Sequence, residues 1–309
     1  TVRASRELGT NSATVIGPIS YEVIDPLNTV RIALDAQDVV PIRFDVTVTG
    51  VVPAFLEDRE IKRSPDGRRI DSDIVRFHQA GTATGWVEVG GERTDIASGW
   101  VGARDRSWGV RYMIGDPPRD VPRPKRNRDM SSLAIWSPIL CTRDDGSQYA
   151  LHLYLHSEVS PEHARTEFQG GVEHPDGGKE HFASVRPDLT FDPVNRRLVG
   201  GVLHATEMDG TDRPLTVTTV SDTGFHLGAG RYFGFDGKWH GQWEGPLVIE
   251  GEHIADCTDI EAARRLHQIR DTVVRVEDPV GGGVGVGTMQ VMAFGAHPGT
   301  NLSAEGTFL

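Results

Sequence analysis

The chain has 309 residues, of which 38% are hydrophobic and 25% charged, enough for two ordinary domains or one large β domain and too apolar for wholesale disorder. Its formal net charge of −12 repels phosphate backbones, so nucleic acid is not an expected partner. Cys141 and Cys257 give neither a disulfide framework nor a metal-type spacing. No apolar run approaches the ~20 residues of a membrane span and no signal-peptide pattern opens the chain, so a reducing, cytoplasmic setting is expected.

Short β-rich runs dominate, punctuated by turn residues. Residues 30–34 alternate weakly, and Ile42 to Gly50 alternates apolar and polar cleanly. Residues 73–79 (DIVRFHQ) and 85–89 (GWVEV) are further short runs, with turn signals at Pro65-Asp66-Gly67, Gly81 and Gly90-Gly91. The basic, Pro-rich stretch PRDVPRPKRNR, 118–128, has no aromatic residue to stack on bases and reads as a linker. It divides the chain into an N-terminal β domain, 1–118, a linker, 119–130, and a C-terminal β domain, 131–309. Later runs lie at 134–142, 149–156, 215–220, 231–235, 239–243 and 287–295. Asp236-Gly237 supplies the positive φ angles of a tight hairpin between Phe235 and Trp239. One segment reads as a helix, 258–269 (TDIEAARRLHQI), behind a capping residue. Evenly spaced short strands in two series predict a mostly β protein with one short helix, built as barrels or sandwiches.

The segment 102–111, GARDRSWGVR, concentrates charge and an aromatic ring between two glycines. On a strand, Arg104, Arg106 and Trp108 share one face and Asp105, Ser107 and Arg111 the other. Arg106 and Trp108 would be about 6.6 Å apart, within stacking range. Asp105 and Arg111 would be about 20 Å apart and could not pair on a straight strand. If the Asp105 face lines a barrel interior, a carboxylate and a hydroxyl there could protonate or orient a ligand held by apolar walls. The competing reading is a satisfied polar network closing one barrel end. Ser107 has no histidine nearby in sequence, which argues against a nucleophile.

Asp105-Arg106-Ser107-Trp108-Gly109 resembles the Asp-His-Asn-Trp-Gly signature of the carotenoid-hydratase/AttH-like superfamily, whose members have two lipocalin-like β domains. The Asp, Trp and Gly positions match, and the branch with Arg-Asp-x-Ser-Trp-Gly is closer still. Gly295-Ala296-His297 is similar to the late Gly-His pattern of those proteins. The resemblance implies two lipocalin-like domains, a large apolar cavity and chemistry on alkenes, with Asp105 in the place of the signature aspartate. Protonating an alkene needs an acid in a dry pocket, then water or an internal nucleophile to trap the cation. The signature histidine is Arg106 here. Arginine stays protonated and cannot shuttle a proton, and close to Asp105 it would hold the carboxylate ionised, which favours orienting a polar ligand group.

Two other segments are candidates for ligand contact. In 149–156, YALHLYLH, the residues His152, Tyr154 and His156 share one face and three leucines the other. The polar face could line a lumen, but His152 and His156 are about 13 Å apart, too far to bind one metal. Trp239 and Trp243 would share one strand face and could wall an apolar pocket. The glycine-rich 281–287 lacks the strand-to-helix context of a nucleotide loop and reads as a hairpin or a close backbone approach.

The expected function is an enzyme without metal or cofactor, acting on an apolar isoprenoid- or polyketide-like molecule by hydration, isomerisation or cyclisation. Asp105 would be acid or polariser, with Arg104 and Arg106 as electrostatic support. Trp108, Ser107, His152, Tyr154, Trp239 and Trp243 would contact the ligand. The alternatives are a non-catalytic carrier or sensor of an apolar ligand and, behind it, a scaffold with filled barrels. A homodimer is compatible with such barrels, though no interface is visible in the letters.

Overall fold

The computed structural model describes residues 2–6, 13–64, 67–97, 99–111, 129–232, 234–266 and 269–305. The described chain is mostly strand with one short helix, in two compact units. The first unit combines Thr1–Asp116 with Asp236–Ala255, and the second combines Pro117–Phe235 with Asp256–Leu309. The linker expected at 119–130 lies, except for its last two residues, outside the described residues.

In the first unit the strands are β1 (Val2–Arg6), β2 (Ala13–Ile16), β3 (Ile19–Asp25), β4 (Thr29–Leu34), β5 (Ile42–Gly50), β6 (Phe55–Leu56), β7 (Glu60–Arg63), β8 (Ile70–Val89), β9 (Glu92–Ile96) and β10 (Val101–Val110). They form an antiparallel sheet in the order β10-β8-β5-β4-β3-β2, with β6, β7 and β9 also paired to β8. β1 stands outside this sheet. The two runs expected at 73–79 and 85–89 are one strand of 20 residues. Gly81, expected at a turn, lies within it, paired to Gly50 and Gly102. An added Cβ at Gly81 would sit 2.1 Å from the Thr49 carbonyl oxygen, so glycine is there for close backbone approach rather than for a turn.

Cross-strand pairing separates the sheet's two faces. Tyr21, Ile32, Val46, Val48 and Ala83 fall on one, and Glu22, Arg31, Asp45, Arg43 and Glu88 on the other. On the charged face Arg31 forks onto Asp45 through Nε and Nη2 at 2.8 and 2.7 Å, and Arg43 pairs with Glu88. The clean alternation of 42–50 therefore reports one apolar and one charged face.

The second unit holds β11 (Ser131–Arg143), β12 (Gln148–Val159), β13 (Ala164–Glu173), β14 (Lys179–Phe191), β15 (Leu198–Glu207) and β16 (Asp212–His226). The chain then supplies β17 (Leu247–Gly251), which pairs with β1 in the first unit. Next come helix α1 (Ile260–Arg265), β18 (Arg270–Asp278) and β19 (Gly283–Phe294). Strands β11 to β16 with β18 and β19 close into an eight-stranded barrel. Leu133, Leu151, Leu153, Leu155, Leu203, Leu215 and Met289 belong to its buried apolar cluster. The glycine-rich stretch enters β19, and its alternate glycines leave room for Tyr149 and Ile139. Helix α1 is shorter than the expected 258–269 and begins behind Asp259, whose carboxylate accepts from the backbone N–H groups of Glu261 and Ala262.

Parts of two expected strands are turns. Residues 231–232 follow a single 3-10 turn, Gly228–Gly230, and Arg231 has φ 69°. Residues 239–243 form a turn in which the Gln242 side chain accepts from the Trp239 N–H. The Asp236-Gly237 turn has the expected positive φ angles, 50° and 76°.

Candidate functional site

The signature segment is strand β10, paired along its length with β8. Asp105 stands opposite His78 and Ser107 opposite Arg76. On the other face Arg104 stands opposite Gln79, Arg106 opposite Phe77 and Trp108 opposite Val75. Tracing these rows through β5 and β4 places Arg104 with the apolar face and Asp105 with the charged one. The apolar face is the concave one. Arg104 interacts electrostatically with Tyr21 on β3, four strand spacings away. That is about 19 Å on a flat sheet, too far for the two side chains to meet without curling.

Asp105 and Ser107 therefore do not face the apolar interior, as a lumen-facing reading of them required. They belong to a polar cluster on the convex side, built around Glu57 in the segment between β6 and β7. Phe55 pairs with His78 in register, and its ring lies 5.0 Å from the imidazole. This registration aims Glu57 back at β8. Its Oε1 lies 2.9 Å from Nδ1 of His78, and its Oε2 accepts from Nη1 of Arg76 at 3.1 Å. The Glu57 and His78 side chains are only 4% and 1% exposed. Arg76 Nε lies 3.9 Å from Asp105 Oδ1, and the Asp105 side chain is 42% exposed. Arg111 Nη2 donates to Ser107 Oγ at 3.1 Å, beyond the end of β10.

The electrostatics of Asp105 follow from this setting. Burial raises its pKa above the ordinary carboxylate value and the Glu57 charge adds to the rise, while Arg76, Arg111 and His78 oppose it without cancelling it. Arg106, expected to hold Asp105 ionised, stands on the opposite face of the sheet, and the largest influences on Asp105 come from burial, Arg76, Glu57, Arg111 and His78. The Glu57 carboxylate, held by Arg76, can only accept, so His78 donates from Nδ1. That leaves Nε2 as the basic atom of His78. Glu57 and His78 are also of metal-ligand type, and here they bond each other.

On the concave side Arg104 lies over the Phe77 ring, 5.2 Å from its centroid, and Trp108 meets the same ring edge-on at 6.4 Å. Trp108 is half exposed and Arg106 exposed. Trp239 and Trp243 sit in the turn preceding β17, and Trp243 is exposed. Beside them, burial depresses the pKa of His240, with a smaller contribution from Arg111. In the barrel, Leu151, Leu153 and Leu155 fill the interior, so His152 and Tyr154 point outward rather than into a lumen. His152 is nevertheless buried, at 2% exposure, with the Trp136 ring edge-on at 6.3 Å.

Glu57, Arg76 and His78 were not among the expected site residues. The alternation of 73–79 does carry a signal, since Arg76 and His78 are two apart on a β-rich run. Glu57, 19 and 21 residues earlier, is joined to them only by the fold.

The chain is similar in structure to a Nitrosomonas europaea protein provisionally assigned as AttH, with TM-score 0.51 and 14% identity over 93% of this chain and 71% of that one. It is also similar to kievitone hydratase from Nectria haematococca, with TM-score 0.46 and 11% identity over 93% of this chain and 70% of that one. The first likeness establishes a shared fold, in line with the two lipocalin-like sheets seen here. No curated protein matches the sequence. Residues 1–302 match the family of unknown function DUF8625, and the chain belongs to that family.

Proposed function

We propose that the chain is a cofactor-independent enzyme of hydratase type, acting on the carbon–carbon double bond of an apolar isoprenoid- or polyketide-like molecule. The observation that carries this reading is the cross-strand pairing of Asp105, whose carboxyl pKa burial raises, with a buried His78 oriented by Glu57. Alkene hydration needs those two roles in adjacent positions. Asp105 donates its proton to one alkene carbon and becomes a carboxylate, leaving a cation on the other. Water adds to the cation as His78 Nε2 takes its proton, and transfer of that proton to Asp105 restores the starting state. Arg76 bridges Glu57 and Asp105 and limits the charge that builds up when Asp105 ionises. The signature match at Asp105, Trp108 and Gly109 supports the same assignment.

The test is incubation of the protein with a lipid extract of its host in ¹⁸O-labelled water, followed by mass spectrometry of bound and released species. A product heavier by one labelled water, formed by the unmutated protein and lost in Asp105→Asn, is the expected result. Because the folded pKa of Asp105 is raised, activity falls as pH rises through that value, later than for an ordinary carboxyl acid. A bound species that stays unchanged over time would overturn the enzyme reading in favour of a carrier.

A further inference from the structure

Three arginines in this chain meet carboxylates through the same edge. Arg31 on Asp45, Arg59 on Asp73 and Arg213 on Asp278 each use Nε and Nη2, the parallel N–H pair along one edge of the guanidinium. Arg104 presents the same edge differently. Its Nε and Nη2 are both shielded from solvent, and neither has a hydrogen-bond partner among the described residues. Burial dominates its electrostatics and the Tyr21 hydroxyl offsets this only in part. Arg106 adds repulsion, and no carboxylate is among the groups acting on it. Beside it, Gln79 spends its amide N–H groups on the carbonyls of Leu27 and Val52, while its Oε1 is also shielded and unpartnered.

A desolvated guanidinium without a counter-charge costs folding free energy, and such a cost persists where it serves binding. The unsatisfied edge has the geometry that accepts both oxygens of one carboxylate. The residues sharing its face, Ile32, Val46, Val48 and Ala83, are apolar, and the sheet curls round them. We propose that Arg104, with Tyr21, Gln79 and the Phe77 ring, forms a binding site on the concave face of the N-terminal sheet for the carboxylate end of an amphipathic small molecule. The apolar part of that molecule lies along Val46, Val48 and Ala83. This site is separate from the Asp105 cluster, which occupies the opposite face of the same two strands, and it does not depend on the hydratase reading.

The test uses decanoate and decanol as probes, titrated calorimetrically into the full chain at neutral pH. Decanoate is expected to bind at least about tenfold more tightly than decanol, the gain of one charge-assisted forked pair. In Arg104→Met that preference disappears while decanol binding is kept. In Arg104→Lys, which keeps the charge and loses the fork, the preference is reduced several-fold. Equal affinity for the two probes, no binding of either, or an undiminished preference in Arg104→Lys would overturn the proposal. The comparison of probes on the unmutated chain stands even if Arg104→Met does not fold.

Discussion

Gly109 shows at residue scale why the signature ends in Trp-Gly. Its φ of 127° is open to glycine and strained for other residues, and an added Cβ would lie 1.9 Å from the Asp73 carbonyl oxygen. Gly109→Ala is therefore expected to cost about 1–3 kcal/mol and to disturb Asp105, four residues away on the same strand. Denaturant unfolding measures the first effect, and an equal midpoint for variant and parent would refute it. The roles within the motif were legible in part. Strand alternation alone separates Asp105 and Ser107 from Arg104, Arg106 and Trp108, and the structure keeps that division. Which face would be the apolar interior was not legible, because that depends on the curl of four other strands. The orienting carboxylate Glu57 was hidden for the same reason, since only the pairing of β6 with β8 brings it to His78.

At the scale of elements, period-two patterning located strands well where one face is apolar. Ile42–Gly50 is a strand with the bounds expected for it, and 134–142 and 149–156 fall inside longer ones. Glycine was the ambiguous letter. Gly81 reads as a break in a one-dimensional sequence, yet β8 runs through it with both neighbouring strands pressed close. The aromatic residues at 231–232 and 239–243 were ambiguous in the opposite sense, with strand-like residues held in turns. Gly81→Ala distinguishes the two meanings. A turn glycine without φ > 0 tolerates alanine, whereas here the new methyl meets the Thr49 carbonyl oxygen at 2.1 Å, an atom fixed by the ladder. The expected loss is about 1–3 kcal/mol in denaturant unfolding, as for overpacking elsewhere. A neutral result would mean that β8 and β5 are less closely apposed than described.

Across the whole molecule, each unit holds both paired and unpaired buried charges. The open sheet keeps Arg104 uncompensated and Asp105 with a raised pKa, the kind of local cost found at binding sites. The barrel unit holds one fully paired cluster, although its buried Arg196 keeps an Nε without a hydrogen-bond partner among the described residues. Asp278 accepts from Tyr149 at 2.7 Å, from Arg213 Nε and Nη2 at 3.0 and 2.6 Å, and from the Gly281 N–H at 2.9 Å, while Arg213 also reaches Glu207. This is the satisfied polar network at first weighed for Asp105, found instead in the other unit. Burial alone would raise the Asp278 pKa, but its hydrogen bonds outweigh that and hold it below the ordinary value. A carboxylate with a depressed folded pKa contributes stability that is present above the unfolded value, ~3.9, and is lost as pH falls through the folded one. Asp278→Asn should therefore cost about 3–5 kcal/mol at pH 7, because Arg213 is left buried without its counter-charge. The difference from the parent should shrink on acidification, as the parent loses the same interaction. Denaturant unfolding at neutral and strongly acidic pH reads both effects. A constant difference across that range would show that Asp278 acts through packing and hydrogen-bond geometry rather than charge. No difference at neutral pH would show that the network is dispensable to the barrel.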